Sequence, residues 1–131
     1  MHAKEIVRRY SAEPAVFRNK ALLISVNRSA TETSLYEATR YAWRISKARA
    51  KEAEVILATL HGLIVGAFVA EGDWLDATAA NFPGREDAPG RRGFVGREAP
   101  AEVRDLYVGK RVPDKYRKRG ARGPIKYTWA S

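Results

Sequence analysis

The sequence contains no cysteine, one methionine, two histidines and few acidic residues in its last third. The absence of cysteine excludes disulfide bonds, thiolate metal sites and a cysteine nucleophile, and it agrees with a cytoplasmic location. No apolar run approaches the roughly 18 residues of a membrane-spanning helix, and residues 1–10 lack the apolar stretch of a secretory signal. The sequence therefore predicts a cytoplasmic protein with no membrane partner.

Positive charge is in excess at the C-terminal end. Residues 91–131 hold 12 of the 24 Lys and Arg residues but 4 of the 15 Asp and Glu residues, which gives them +8 of the chain's net +9. Like charges in one stretch repel each other and add nothing to folding, so this excess is typical of proteins that bind a polyanion, above all nucleic acid. We therefore predict nucleic acid, either DNA or RNA, as the partner.

The apolar pattern predicts an α+β fold. A length of 131 residues, 45% of them hydrophobic, indicates one domain over 1–131. The segments with strand length and composition are 21–26, 55–60, 63–69, the short 93–96 and 125–129. They predict a small, strongly curved, mostly antiparallel sheet or partial barrel.

Two helices and two polar segments complete this prediction. Ser34 and Glu37 have the spacing of a capping box, which predicts one main helix over residues 35–54, after the first strand. Pro100 and Gly109 bracket a short C-terminal helix. The polar segments are a lead-in over 1–20 and a basic segment over 104–126.

On a continuous helix, Tyr36, Arg40, Trp43 and Lys47 share one face, because residues four and seven apart line up. This stripe has two interpretations. Either the rings stack on bases while the cations contact phosphates, or the rings belong to the core and the cations lie at its rim. Trp74, just after the second strand of a hairpin, is similarly either the wall of a pocket or a packing anchor for the following loop.

The basic segment interleaves cations with Tyr116 and Tyr127. Arginine binds phosphate through two donors at once, and tyrosine rings stack on bases. A solvated tail that keeps the protein soluble is the alternative interpretation. The predicted phosphate-binding residues are Lys47, Lys110, Arg111, Lys115, Arg117, Lys118, Arg119, Arg122 and Lys126.

Catalytic patterns are scarce. His2 lies near the terminus and His61 in a tight turn, and the sequence has no HExxH, GxSxG or P-loop spacing. Asp73 and Asp76 could bind a divalent metal, although acidic residues after a strand are more often turn formers. We expect no cofactor and no metal. The rival hypotheses are a small metal-dependent nuclease or nucleotide-processing enzyme, and a structural protein that docks on ribosomal or other structured RNA.

Two motifs, YEATR at 36–40 and GARGPI at 120–125, resemble those of a family of small prokaryotic proteins of uncharacterised function. The first strand ending at Asn27, the Trp- and Arg-bearing helix and the IVG hairpin followed by Trp74 are similar to the EVE/YTH branch of PUA-like domains. Those domains are small β-barrels that bind modified bases. The chain has Glu-Ala-Glu at 52–54 where they carry a Gly-Asp turn. The resemblance implies a base-binding pocket, and the residues assigned to it are Asn27, Tyr36, Arg40, Trp43 and Trp74.

Overall fold

The computed structural model describes residues 12–26, 34–116 and 125–129. Within them the strands are β1 (Ala21–Ser25), β2 (Val55–Leu60), β3 (Leu63–Ala70), β4 (Leu75–Asp76), β5 (Arg92–Gly93), β6 (Gly96–Glu98) and β7 (Ile125–Tyr127). The helices are α1 (Leu35–Arg40), α2 (Lys47–Glu52) and α3 (Ala101–Tyr107). The α+β class and the short helix after Pro100 are confirmed. None of the helices in the described ranges is long and apolar enough to cross a membrane.

Five strands form one mixed sheet in the order β6-β3-β2-β1-β7, while β4 and β5 pair separately. The pairing of β1 with β2 is parallel, and the other three pairings in the large sheet are antiparallel. A sheet of mostly antiparallel pairs is thus confirmed. Strands β6 and β7 form its two edges, so the sheet is not closed. A parallel pair needs a crossover connection, and α1 and α2 provide it between β1 and β2.

Both faces of the sheet are buried, because successive side chains of a strand point to opposite faces. On the first face, Leu22 and Ile24 pack with Phe94 beneath α1 and α2. On the second face, Leu23 and Leu57 pack with α3 and the segment that follows it. This double burial explains why the β1 and β2 sequences are almost continuously apolar instead of alternating.

The single helix predicted over residues 35–54 is wrong at its centre. Ser34 caps the helix start as predicted, accepting a hydrogen bond from the Glu37 backbone N–H at 3.0 Å. However, α1 ends at Arg40, and the backbone N–H and C=O of Trp43 both bond to Arg92 at 2.9 Å. Ser46 then caps a second helix. The linker between the helices therefore takes its hydrogen bonds from a segment distant in sequence, which the local pattern does not reveal.

Gly93 marks a close approach between β5 and the end of α1. A Cβ atom added at Gly93 would lie 2.5 Å from the carbonyl oxygen of Arg40 and 2.9 Å from Cζ of Phe82. Because a backbone oxygen cannot move without disturbing α1, we expect Gly93→Ala to lower the free energy of unfolding by about 2–3 kcal/mol, measured by urea denaturation. At Gly66 the added Cβ would meet the end of the Leu35 side chain instead. Gly66→Ala should cost clearly less, and equal losses would contradict this explanation.

Candidate nucleic-acid interface

Tyr36 and Arg40, both predicted to bind a base, are tied to the core by α1. The Tyr36 ring centroid lies 5.7 Å from that of Phe68 and 6.0 Å from that of Phe94, and its hydroxyl accepts from the Gly96 N–H at 2.8 Å. Arg40 donates from Nε to the Phe94 carbonyl at 3.1 Å, and its guanidinium carbon lies 5.0 Å from the centre of the Tyr36 ring. These contacts hold both side chains in one orientation.

The two predicted stacking tryptophans pack into the same cluster on the first face of the sheet. Trp43 is half-buried, and its indole Nε1 donates to the Thr39 carbonyl at 2.7 Å. Trp74 is only 4% exposed and its ring centroid lies 5.0 Å from that of Phe94, so Trp74 anchors the long loop in this structure. Since α1 ends before Trp43, the predicted four-residue helical stripe does not form. Asn27 lies outside the described residues.

A groove of about 460 Å³ runs beside Tyr36, between α1, β3, β6 and the end of α3. It forms where a β-bulge leaves Val65 as an extra residue between the pairs Ala58–Gly66 and Thr59–Ile64. Its two arginines are already neutralised, because Arg97 pairs with Glu71 at 2.9 Å and Arg104 pairs with Glu98 at 3.4 Å. The groove therefore has an apolar floor and a rim without excess charge.

Two of the predicted phosphate-binding residues, Lys110 and Arg111, form ion pairs in this structure. Lys110 Nζ lies 3.4 Å from a Glu13 carboxylate oxygen, and an Arg111 nitrogen lies 3.6 Å from a carboxylate oxygen of Asp114. Arg111 also donates from Nε to the Ala12 carbonyl at 3.2 Å. Four further predictions, Arg117, Lys118, Arg119 and Arg122, lie outside the described residues. Lys47, Lys115 and Lys126 form no ion pair with the described part of the chain.

Unpaired cations gather on α2 and on the linker before it. Arg44, Lys47 and Lys51 are exposed and have no carboxylate partner in residues 12–26, 34–116 and 125–129. Lys47 and Lys51 are four residues apart, so they lie on the same side of α2, one turn from each other. This arrangement concentrates positive charge on one side of a short helix.

On the other side of α2, Arg49 and Glu52 contact aromatic side chains of the β7 edge. The Arg49 guanidinium carbon lies 5.4 Å from the centre of the Tyr127 ring, and Trp129 donates from Nε1 to Glu52 at 2.9 Å. The two rings meet edge to face, with centroids 5.4 Å apart. Burial raises the pKa of Tyr127 while Arg49 acts in the opposite direction, so the phenol stays protonated at neutral pH. We call Arg44, Lys47, Arg49, Lys51, Tyr127 and Trp129 the α2–β7 surface.

The sequence pattern pointed to part of this surface. The sequence predicted Lys47 as a phosphate-binding residue but did not single out Arg49 or Trp129. Arg49 contacts Tyr127 of β7 and Trp129 contacts Glu52 of α2, and these contacts join segments that are far apart in the chain. One usable signal was present: Tyr127 and Trp129 are two residues apart in a strand-like segment, which places them on the same side.

The acidic residues considered for a metal site are dispersed or engaged. Within the described ranges, no group of three or more His, Cys, Asp or Glu side chains is close enough to hold an ion. Asp76 lies 3.9 Å from Nε of Arg92, and Glu71 pairs with Arg97. This geometry does not favour the metal-dependent nuclease over a binding protein.

Comparison with known proteins identifies no relative: no family profile, curated protein sequence or solved structure matches the chain significantly. The resemblance to the EVE/YTH branch therefore stays a prediction.

Proposed function

We propose that the protein binds nucleic acid through the α2–β7 surface. The supporting observation is the contrast between the two edges of the sheet. At the β6 edge, Arg97 and Arg104 are each neutralised by a carboxylate. On α2, which contacts the β7 edge through Arg49 and Glu52, and on the linker before it, Arg44, Lys47 and Lys51 have no such partner in the described residues, although holding unpaired like charges together adds nothing to stability. Phosphates would neutralise them and release condensed counterions.

Residues 117–124, which lie outside the described residues, carry four further cations: Arg117, Lys118, Arg119 and Arg122. Residues 117–124 follow Tyr116 and precede Ile125, and the Tyr116 hydroxyl donates to the Thr128 carbonyl at 3.4 Å. In sequence, these four cations therefore lie between Tyr116 and the first residue of β7. Together with Arg44, Lys47 and Lys51 they provide seven positive charges for phosphate contacts.

The aromatic part of the surface favours single-stranded nucleic acid. Tyr127 and Trp129 are both half-exposed, and Tyr127 lies beside Arg49 of α2. Rings of this kind stack on bases only where the bases are not enclosed in a duplex, and a cationic groove with aromatic rings is typical of proteins that bind single strands. Base recognition by Trp74 is not part of this proposal, because its ring is buried.

The double variant Lys47→Gln/Lys51→Gln tests the proposal. We expect it to weaken binding to single-stranded DNA and RNA by about tenfold, and to lower the dependence of log affinity on log salt by about 1–2, because two phosphate contacts are lost. Fluorescence anisotropy with labelled oligonucleotides over a salt series gives both quantities. Thermal unfolding should be nearly unchanged, since exposed charges contribute little to stability.

The charge-matched control is Arg97→Gln/Arg104→Gln at the opposite edge. It removes the same two positive charges from residues that are already paired, so its affinity should remain within about twofold of the parent protein. Equal losses in both double variants would show that only the net charge matters. That result, or undetectable binding at low salt, would contradict the assignment of the α2–β7 surface.

A further inference from the structure

A small cleft lies on the second face of the sheet, at the carboxyl ends of the parallel strands β1 and β2. Its volume is about 100 Å³, which is room for roughly three water molecules at ~30 Å³ each. The carboxyl ends of parallel strands are a frequent position for ligands in open sheets. The described residues that line the cleft are Leu23, Ser25, Thr59, Gly62, Val112, Tyr116 and Lys126.

Two hydroxyl groups in this cleft form only long, weak hydrogen bonds with backbone carbonyls. The Thr59 hydroxyl lies 3.5 Å from the Ile24 carbonyl oxygen although the residue is only 6% exposed, and the Tyr116 hydroxyl lies 3.4 Å from the Thr128 carbonyl oxygen. Both distances are near the limit at which a hydrogen bond ceases to contribute. Thr39, the other buried threonine of the described core, donates to a carbonyl at 2.7 Å. Thr59 and Tyr116 therefore retain most of their donor capacity.

The charge of the cleft is positive. Lys126 lines it and forms no ion pair with the described residues, and the Lys115 ammonium lies 5.1 Å from the centre of the Tyr116 ring. None of the described lining residues carries a carboxylate. Asp114, the acidic residue of the adjacent turn, is paired with Arg111 at 3.6 Å. The cleft thus combines hydroxyl donors with an ammonium group that has no carboxylate partner among the described residues.

We propose that this cleft binds a single phosphoryl oxyanion. Lys126 provides the compensating charge, while Thr59 and Tyr116 exchange their long hydrogen bonds for short ones to anionic oxygens, which are the stronger acceptors. Ser25 supplies a third hydroxyl at the open side. The small volume admits a phosphoryl group and excludes a nucleobase with its sugar. This cleft is separate from the α2–β7 surface, because α2 covers the first face of the sheet and the cleft lies on the second.

Titration of the full chain with inorganic phosphate at constant ionic strength tests this site. We expect saturable amide chemical-shift changes in a ¹H–¹⁵N spectrum, centred on Thr59, Gly62 and Lys126, with a dissociation constant of about 1 mM for an isolated, partly open anion site. Shifts that rise linearly to the highest concentration, or that spread over all basic residues equally, would overturn the proposal.

Three variants assign the donors. Lys126→Gln should weaken phosphate binding by about tenfold, and the hydroxyl deletions Thr59→Val and Tyr116→Phe by about three- to tenfold each. The control, Lys20→Gln, removes an exposed lysine near the opposite end of β1 and should leave the affinity unchanged. Because the hydroxyl deletions keep the side-chain shape, both should fold. Unchanged affinity in both, or an equal loss in Lys20→Gln, would contradict the assigned site.

The source of the phosphoryl group is distinguished by short oligonucleotides with and without a 5′-phosphate. If the cleft takes a terminal phosphate of a nucleic acid, the phosphorylated form should bind about tenfold more tightly, and Lys126→Gln should abolish that difference. Equal affinity of the two forms, together with saturable binding of inorganic phosphate, would assign the cleft to free phosphate. Failure of the α2–β7 proposal would leave the phosphate titration unaffected.

Discussion

Replacing Trp74 with alanine is expected to lower the free energy of unfolding by about 3–5 kcal/mol, the usual cost of emptying a buried aromatic site. The ring is 4% exposed and packs at 5.0 Å from Phe94, in a cluster that joins the long loop to the first face of the sheet. The loop begins directly after β3, so this ring holds its start against the core. Urea denaturation of the variant and the parent protein measures the difference.

The variant Trp74→Phe distinguishes the contribution of ring packing to stability from that of the indole N–H. In the described residues the buried Trp74 Nε1 has no hydrogen-bond partner, whereas Trp43 Nε1 donates to the Thr39 carbonyl. A buried donor without a partner costs about 1–3 kcal/mol, so removing it offsets part of the lost packing. We therefore expect Trp74→Phe to be at least about 1 kcal/mol less destabilising than Trp74→Ala. A phenylalanine variant as unstable as the alanine variant would show that the N–H is satisfied in solution.

Nucleic-acid affinity is expected to fall about 10³-fold when the salt concentration rises from about 50 mM to about 200 mM. Arg44, Lys47 and Lys51 have no carboxylate partner among the described residues, and residues 117–124 carry four further cations, which gives seven in all. For a single strand, each neutralised phosphate contributes about −0.7 to the slope of log affinity against log salt, which predicts a slope of about −5. Anisotropy titrations at four or five salt concentrations measure this slope.

The same titrations test whether the protein prefers single-stranded or double-stranded nucleic acid. Single strands should bind more tightly than duplexes of equal length, because Tyr127 and Trp129 need unpaired bases for stacking. Tyr127→Leu and Trp129→Leu should reduce this preference while leaving the salt slope unchanged, since neither ring carries a charge. A slope near zero would contradict the phosphate contacts, whereas a steep slope with equal binding of duplexes would contradict only the aromatic part.

Local signals predicted those elements whose hydrogen bonds and burial are determined by neighbours in sequence. The three apolar runs became β1, β2 and β3, and the Ser34 capping box starts α1 at the predicted residue. The prediction failed at residues 41–46. There the backbone of Trp43 pairs with Arg92, and the guanidinium groups of Arg91 and Arg92 donate to the carbonyls of the linker. A contact between segments so distant leaves no local pattern.

The candidate site likewise combines a feature that the sequence predicts with features that only the folded structure shows. Composition alone placed the excess charge in the C-terminal third, because net charge does not depend on the fold. Which cations are near carboxylates depended on the tertiary structure: Lys110 and Arg111 are paired, whereas Lys47 and Lys51 have no carboxylate partner among the described residues. Pairing requires opposite charges within about 4 Å, and that distance is a property of the folded chain.

The sequence by itself determined the fold class, the predominance of antiparallel strands and the sign and location of the net charge, since these follow from hydrophobic periodicity and residue counts. Only the tertiary structure decided that the helix after β1 is broken and that Trp74 is buried. It also decided that Arg49 and Glu52 of α2 meet the aromatic residues of β7. The physical reason is that β7 joins the sheet beside β1, which brings residues 125–127 next to residues 22–24 and places α2 near that edge.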